Sequence, residues 1–434
     1  MTRDLDAKTI IGLTAETYAV RFFALGASFA SSILLARMLG PEGKGYIATA
    51  LFWSSLIASL LILGLDSTAV YFTGSSPGRF PRLARFLSAY TCIAAAAGIL
   101  ILHGVQRVSD LFHGQSELVW FASGLILTSL ATALFNALYI GIGQLGLTNR
   151  VSAAGTALYL AALLSLTLAR TGDTRLVLLA LFSVQALTNA YLVIRALRRP
   201  STLEAKPIFW GELWRYAAKV YAGNLAGFLY FRSNFMILSL SASMAEVGIY
   251  SIAQVFSDVI LILPTTLINI IFPRVAGMPK EATIQRVSET ARFSIAVTFA
   301  LAAGIAAASV VIVPLAFGRA FATAVGMVWI LCIGAWVGAG GMVLSIYFNS
   351  MNKPEVPSTA AWIGFALAAS TTWLLAPRWG GYGAAVALSL SRAVVAGYML
   401  ILYLRDSRER LTTVILAGPT DWRRGFRLMR SVLP

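Results

Sequence analysis

Charged side chains that lie inside long apolar segments are the residues of this sequence that could do chemistry. Arg21, Arg232 and Arg392 each interrupt such a segment, and so do Asp66 and Asp258. Because an ionised group is costly in lipid, it usually faces a cavity or pairs with an opposite charge. Arginine donates two parallel hydrogen bonds that match phosphate oxygens, and a carboxylate in such a segment could carry a coupling proton or sodium ion.

Helical spacing places further polar and aromatic side chains on the faces that carry these charges. At about 100° per residue, each predicted helix presents such side chains within a single stripe. We therefore predict a polar passage whose cationic groups hold an anionic substrate and whose aromatic rings stack on sugars. The candidate substrate-binding residues are Tyr18, Arg21, Tyr221, Asn224, Arg232, Gln254 and Arg392, and the candidate ion-coupling residues are Asp66 and Asp258.

A structural role for the same residues stays open. Arg232 or Arg392 could pair with an aspartate and hold two helices together. Arg21 lies near a helix end, where its side chain could extend to the interface. Asp66 could lie near the cytoplasmic interface, and the aromatic stripe could be ordinary helix packing.

The composition indicates that lipid is the solvent of this chain. Of its 434 residues, 58% are hydrophobic and only 12% are charged, and the mean hydropathy is +0.77. A soluble domain carries about 25% charged residues. Apolar runs of about 20 residues, enough to cross a bilayer, recur along the whole length. The net charge of +16 is therefore interpreted through its distribution around the membrane, and no nucleic-acid partner is expected.

The hydropathy pattern predicts an all-α polytopic membrane protein with about twelve transmembrane helices. The short connections leave room only for paired helices, because unsatisfied backbone groups cannot lie in lipid. In the second span, Ser55, Ser59 and Asp66 are expected to share one helical face. The predicted spans are 18–39, 46–72, 86–104, 118–142, 151–169, 175–197, 216–240, 248–273, 291–317, 324–348, 359–376 and 383–404.

Lysine and arginine are distributed unequally between alternate connections. Of the 34 in the chain, 24 lie on the side that carries both predicted termini, 7 lie on the opposite side and 3 lie inside spans. The positive-inside rule assigns the richer side to the cytoplasm. Both termini are therefore predicted to be cytoplasmic.

The two halves of the sequence repeat one another weakly. Glu42 and Tyr46 recur as Glu246 and Tyr250, each at an offset of 204 residues. Six spans per half would enter the membrane from the same face, as in the parallel repeats of several transporter folds. The predicted domains are an N-terminal six-helix bundle at 1–200, a cytoplasmic linker at 201–215, a C-terminal six-helix bundle at 216–404 and a basic cytoplasmic tail at 405–434.

Two short motifs resemble those of a known transporter family. The stretch ARMLGPEGKGYIATALF (36–52) is similar to the Arg-x-Leu-Gly-Pro-Glu hairpin of Wzx-like polysaccharide flippases. The stretch GGYGAAVALSLSR (380–392) resembles the start of the last helix in the multidrug/oligosaccharidyl-lipid/polysaccharide exporter superfamily, to which those flippases belong. The resemblance implies a MATE-like transporter fold, in which the first motif forms a tight hairpin on the extracytoplasmic side.

The resemblance also implies a task in the bacterial inner membrane. A Wzx-like protein would move undecaprenyl-diphosphate-linked oligosaccharide from the cytoplasmic to the periplasmic leaflet by alternating access, for export of O-antigen or exopolysaccharide. Glycosyltransferases and a polymerase of the same pathway would be its partners. No enzymatic activity and no cofactor are expected, apart from a coupling proton or sodium ion.

Three alternatives stay open beside this interpretation. A multidrug or cation antiporter of the same superfamily would favour acidic pockets, whereas these spans hold more arginine than acid. A lipid II flippase usually has two further helices, which this length does not readily supply. A membrane glycosyltransferase or ligase would need a sizeable outer loop or a cluster of carboxylates and histidines, and the longest predicted outer loop, around 104–117, has few such residues.

Overall fold

A computed structural model describes residues 7–199 and 207–415, without the side chains of residues 7–19, 21, 22 and 25. The described chain is almost entirely α-helical and contains no strand, which confirms the all-α prediction for these ranges. The helices are α1 (Ala7–Leu61), α2 (Leu65–Ser75), α3 (Phe80–Ser109), α4 (Leu118–Gly141), α5 (Leu145–Leu168), α6 (Thr174–Arg198), α7 (Trp210–Ser241), α8 (Met244–Val275), α9 (Lys280–Ile312), α10 (Ala324–Ser350), α11 (Glu355–Ser407) and α12 (Leu411–Ile415).

Two of these helices are sharply bent at a glycine. Gly40 in α1 has φ 66° and Gly380 in α11 has φ 52°, a left-handed region that favours glycine. In α1 the chain bends back, because Lys44 Nζ donates to Ser32 Oγ at 3.0 Å, whereas twelve residues of straight helix span about 18 Å. In α11 a Cβ at Gly383 would lie 2.6 Å from the carbonyl oxygen of a residue eight positions earlier. Each motif singled out in the sequence therefore forms a bend.

Nine helices of the described chain are long and apolar enough to cross a membrane, and α1 and α11 are among them. Each of these two contributes an arm on either side of its bend. Helix α7 has 32 residues and is long enough to cross, but its polar side chains keep it out of the nine. Counting both arms and α7 gives the twelve predicted spans.

The predicted second span, 46–72, is not one helix. The chain leaves the helix after Leu61 and begins α2 at Leu65, with Leu63 at φ 48° and Gly64 at φ 74°. A Cβ at Gly64 would lie 2.4 Å from the carbonyl oxygen of Ala217, so α7 approaches the break closely. The predicted helical face of Ser55, Ser59 and Asp66 is therefore wrong, because the helix ends between the serines and the aspartate.

The break frees backbone carbonyls that would otherwise bond within a helix. Tyr221 OH donates to the carbonyl oxygen of Leu60 at 2.8 Å, and Tyr90 OH donates to that of Leu61. A carbonyl at a helix end needs such a partner, above all where water is scarce. Two tyrosines from neighbouring helices therefore stabilise the interrupted backbone.

The chain divides into two compact units, and the division falls inside α7, between Leu225 and Ala226. In unit 1, α4 contacts α1, α2, α3 and α6; in unit 2, α10 contacts α8, α9 and α11. Burial covers 61% of the apolar part of α4 and 67% of that of α10, against 6% for α5. The fourth helix of each half is therefore the central one. Helix α7 already begins at Trp210, inside the predicted linker 201–215.

A second correspondence supports the internal repeat. A Cβ at Gly43 would lie 3.3 Å from Thr174 Oγ1, so the second predicted helix of unit 1 begins beside the start of α6. In unit 2, Glu246 in the first turn of α8 accepts a hydrogen bond from Gly381 N at 2.9 Å, at the start of the second arm of α11. The second and sixth spans of each half therefore begin beside one another.

Close packing of α10 against α11 depends on glycine. An added Cβ at Gly341 would lie 2.7 Å from Ala396 Cα, whereas at the exposed Gly304 of α9 it would meet nothing within 4 Å. We expect Gly341→Leu to lower the free energy of unfolding by about 1–3 kcal/mol or more through overpacking, while Gly304→Leu leaves it nearly unchanged. Thermal unfolding of both variants in detergent checks this, and equal melting temperatures would contradict it.

Candidate functional site

An ion pair within unit 2 joins α7 and α8. Arg232 Nη2 lies 3.4 Å from Asp258 Oδ2, and the two side chains are 43% and 41% exposed. Asp258 lies near the middle of α8, which has 32 residues. An ion pair at this depth that remains two-fifths exposed implies contact with water, because lipid would not solvate it. The structural reading of Arg232 as a partner of an aspartate thus describes its contact, but the pair is not sealed in a core.

A third charge lies next to this pair. Arg392, from the second arm of α11, is only 1% exposed. Its Nη1 donates to Ser257 Oγ at 2.8 Å, and its Nε is buried without a hydrogen-bond partner. Because Ser257 precedes Asp258, these contacts bring two arginines and one carboxylate together. Among the described residues no carboxylate bonds to Arg392, so the cluster of Arg232, Asp258 and Arg392 carries a net charge of +1.

Buried polar groups surround this charge cluster. Asn234 Nδ2 donates to Tyr250 OH, and the Oδ1 of Asn234 and the Oγ of Ser233 are buried without hydrogen-bond partners. Gln254, one turn before Asp258 on α8, is 4% exposed. Unit 2 therefore holds a polar interior at the level of the ion pair, with acceptor groups whose hydrogen-bonding capacity is not used.

The remaining predicted residues with described side chains lie in unit 1. Tyr221 donates to a backbone carbonyl at the break after α1, and Asn224 Nδ2 donates to Ser67 Oγ at 3.2 Å. Asp66, in the first turn of α2, has a buried Oδ1 without a hydrogen-bond partner. These three side chains thus surround the helix break. The side chains of Tyr18 and Arg21 lie outside the described residues.

The structure brings together Arg232, Asp258 and Arg392 but adds a contact that sequence reasoning missed. Ser257 joins the buried guanidinium to the backbone beside Asp258. A serine next to an intramembrane aspartate was the only signal for it. Tyr90, which caps the break, was also missed, and the left-handed Gly64 was its signal.

The comparisons with known proteins agree with this architecture. Residues 34–326 match the family described as polysaccharide biosynthesis protein. No curated protein sequence matches the chain. Among solved structures, a lipid II flippase, MurJ, in an inward closed conformation aligns with a TM-score of 0.69 at 12% identity, covering 96% of each chain.

Two further solved structures belong to the same superfamily. An inward-facing multidrug resistance MATE family transporter aligns with a TM-score of 0.64 at 14% identity, covering 89% of this chain and 94% of the other. A superfamily transporter from Pyrococcus furiosus aligns with a TM-score of 0.59 at 11% identity, covering 91% and 94%. These proteins are transporters and flippases rather than enzymes. The MATE-like fold prediction is confirmed, and this multi-pass membrane protein belongs to the polysaccharide biosynthesis protein family.

Proposed function

We propose that this protein is a flippase for a lipid-linked glycan. It would move undecaprenyl-diphosphate-linked oligosaccharide from the cytoplasmic to the periplasmic leaflet of the bacterial inner membrane, by alternating access. The diphosphate and sugars would pass along polar groups while the lipid tail stays in the bilayer. This task fits the family to which the chain belongs and the lipid II flippase among the proteins that share its fold.

The observation that carries the proposal is the net charge of the cluster formed by Arg232, Asp258 and Arg392. A site with two arginines and one carboxylate attracts an anion, and an arginine can donate two parallel hydrogen bonds to phosphate. The half-exposed Arg232 can reach a substrate without first leaving a core. Its aspartate partner keeps it positioned until a diphosphate replaces the carboxylate.

The same observation separates the proposal from its rivals. A multidrug antiporter for cationic drugs would be opposed by a positively charged site, although the chain shares the fold of such transporters. A lipid II flippase would suit the charge equally well, and the family of polysaccharide biosynthesis proteins favours an oligosaccharide. A glycosyltransferase or ligase is disfavoured because the family and the fold point to transport.

The test is transport by the purified chain in proteoliposomes. A fluorescent undecaprenyl-diphosphate oligosaccharide should cross to the other leaflet faster than in empty vesicles, and a neutral polyprenyl glycoside of the same length should not. Lipid II and a cationic dye serve as competing substrates. Movement of the dye alone would contradict the proposal, and a preference for lipid II would replace the oligosaccharide by the peptidoglycan precursor.

Asp258 is proposed to couple this transport to a proton or sodium gradient. Binding of either cation to the carboxylate would weaken its attraction for Arg232, which lies 3.4 Å away, and would free the arginine for the diphosphate. We therefore expect Asp258→Asn to flip substrate at a rate that no longer responds to an imposed gradient. Asp173→Asn, at the exposed start of α6, is the control. Full gradient dependence of Asp258→Asn in proteoliposomes would contradict this role.

A further inference from the structure

The end of α6 carries a second cationic site, in unit 1 and separate from the charge cluster of unit 2. A cleft of about 550 Å³ is lined by Gln144, Tyr191, Ile194, Arg195, Arg198 and Arg199. The tyrosine and the arginines follow one another at intervals of four, three and one residues, so they lie on one face of the helix end. Gln144, from the turn before α5, forms the opposite wall. We name this site the α6 cleft.

Aromatic rings hold these arginines in place without neutralising them. Arg195 Nη1 donates to Tyr191 OH at 2.7 Å, and its guanidinium lies 5.9 Å from the centre of that ring. Arg199 lies 5.2 Å from the centre of the Phe80 ring. None of the three arginines forms an ion pair with a carboxylate among the described residues. The α6 cleft therefore presents three positioned and uncompensated positive charges.

Lysines of unit 2 show the contrasting arrangement. Lys353 and Lys280 lie 2.9 Å and 3.5 Å from the carboxylate of Asp406, so these cations already have a counter-charge. Favourable interaction with the carboxyl end of α6 accounts for some cationic charge at that position. It does not account for a cleft whose opposite wall is an amide: the Oε1 of Gln144 is buried without a hydrogen-bond partner. Turned by 180°, that amide would offer two donors to an anion.

The position of the α6 cleft indicates the kind of anion. Its arginines belong to the side of the membrane that the distribution of Lys and Arg assigns to the cytoplasm. The next helix begins nearby in sequence with exposed Phe209 and Trp210, which are 59% and 46% exposed. Aromatic residues of this kind mark the headgroup level of a bilayer. Basic pockets at that level, on the cytoplasmic side, suit the phosphates of anionic lipids.

We propose that the α6 cleft binds the phosphate headgroup of an anionic phospholipid of the cytoplasmic leaflet. Arg195, Arg198 and Arg199 supply the charge, and Gln144 supplies amide hydrogen bonds. The open side of the cleft leaves the acyl chains in the bilayer. Such a lipid would bind to unit 1 independently of the transported substrate, so this site does not depend on the proposed function.

The test is lipid binding by the full chain in neutral detergent, followed by native mass spectrometry. Dioctanoyl phosphatidylglycerol is the probe, and dioctanoyl phosphatidylcholine is the uncharged comparison. We expect the combined Arg195→Gln, Arg198→Gln and Arg199→Gln variant to bind the probe about 100-fold more weakly, since each cation near a membrane surface contributes about 1 kcal/mol. Arg232→Ala should bind it as the unchanged chain does.

The matched control removes three exposed arginines of unit 2 on the same predicted side, by Arg274→Gln, Arg286→Gln and Arg405→Gln. An equal loss of binding in this control would overturn the proposal, because general electrostatic attraction would then suffice. Inorganic pyrophosphate distinguishes the source of the phosphate. If it displaced the probe from the α6 cleft at equal concentration, a soluble phosphate and not a lipid would be the ligand, and the lipid proposal would fail.

Discussion

Arg232→Ala is expected to reduce transport of a diphosphate-linked oligosaccharide by about 100-fold while membrane abundance stays normal. Hydrogen bonds to a charged group contribute about 1.5–3 kcal/mol each, and 2.7 kcal/mol corresponds to about 100-fold in rate. The substitution also leaves Asp258 without its partner, which reverses the charge of the exposed part of the site. Export in a complementation assay and the initial rate in proteoliposomes measure the effect.

Two controls separate substrate binding from helix pairing. Both side chains are about two-fifths exposed, so the ion pair itself contributes only about 0–1 kcal/mol to stability, and the melting temperature should change little. The exchange Arg232→Asp with Asp258→Arg restores an ion pair but moves the cation to α8. We expect it to remain inactive. Recovery of transport by the exchanged pair would show that pairing alone is needed and would contradict diphosphate binding at Arg232.

Arg392→Met is expected to preserve or raise stability while impairing transport. The guanidinium is 1% exposed, with one hydrogen bond to Ser257 and an unpartnered Nε. Replacing a poorly compensated buried charge with an apolar side chain of similar length is often neutral or stabilising by about 1–4 kcal/mol. Transport should fall because the cluster would lose its net positive charge. Thermal unfolding and the flipping rate give the two measurements.

Arg392→Ala is the steric control for this experiment. It removes the same charge but leaves a cavity beside α10, where Gly338 packs against the stem of Arg392. We expect it to be clearly less stable than Arg392→Met, since large-to-small changes in a core cost about 2–5 kcal/mol. If Arg392→Met were the less stable of the two, Arg392 would have a compensating partner and the cluster would not be net positive.

The sequence predicted the fold more fully than the site because hydropathy reports burial in lipid directly. Runs of apolar residues marked twelve segments, and the glycines in the two family motifs coincide with the bends at Gly40 and Gly380. The second span was wrong because its apolar run continues through Gly64. Only the close approach of α7 and the tyrosines that cap the freed carbonyls allow the helix to break there.

The candidate site was predicted in part because helical periodicity orders residues within one helix and not between helices. It found Arg232 on α7 and Asp258 on α8, but their contact at 3.4 Å depends on how the helices pack. It also assigned Arg392 to an open passage, whereas the glycines of α10 allow the side chain to lie buried against them. The roles of all these residues in transport stay predictions.

The most direct measurement is the water accessibility of the ion-pair position within a membrane. In a chain with Cys92→Ala and Cys332→Ala, Asp258→Cys should react with a membrane-impermeant thiol reagent, and a diphosphate-linked oligosaccharide should protect it. The adjacent Ser257→Cys, at a fully buried position, should not react. Labelling at 258 with substrate protection is the predicted result. A position 258 that only a lipid-soluble reagent reaches would contradict a hydrated site for an anionic substrate.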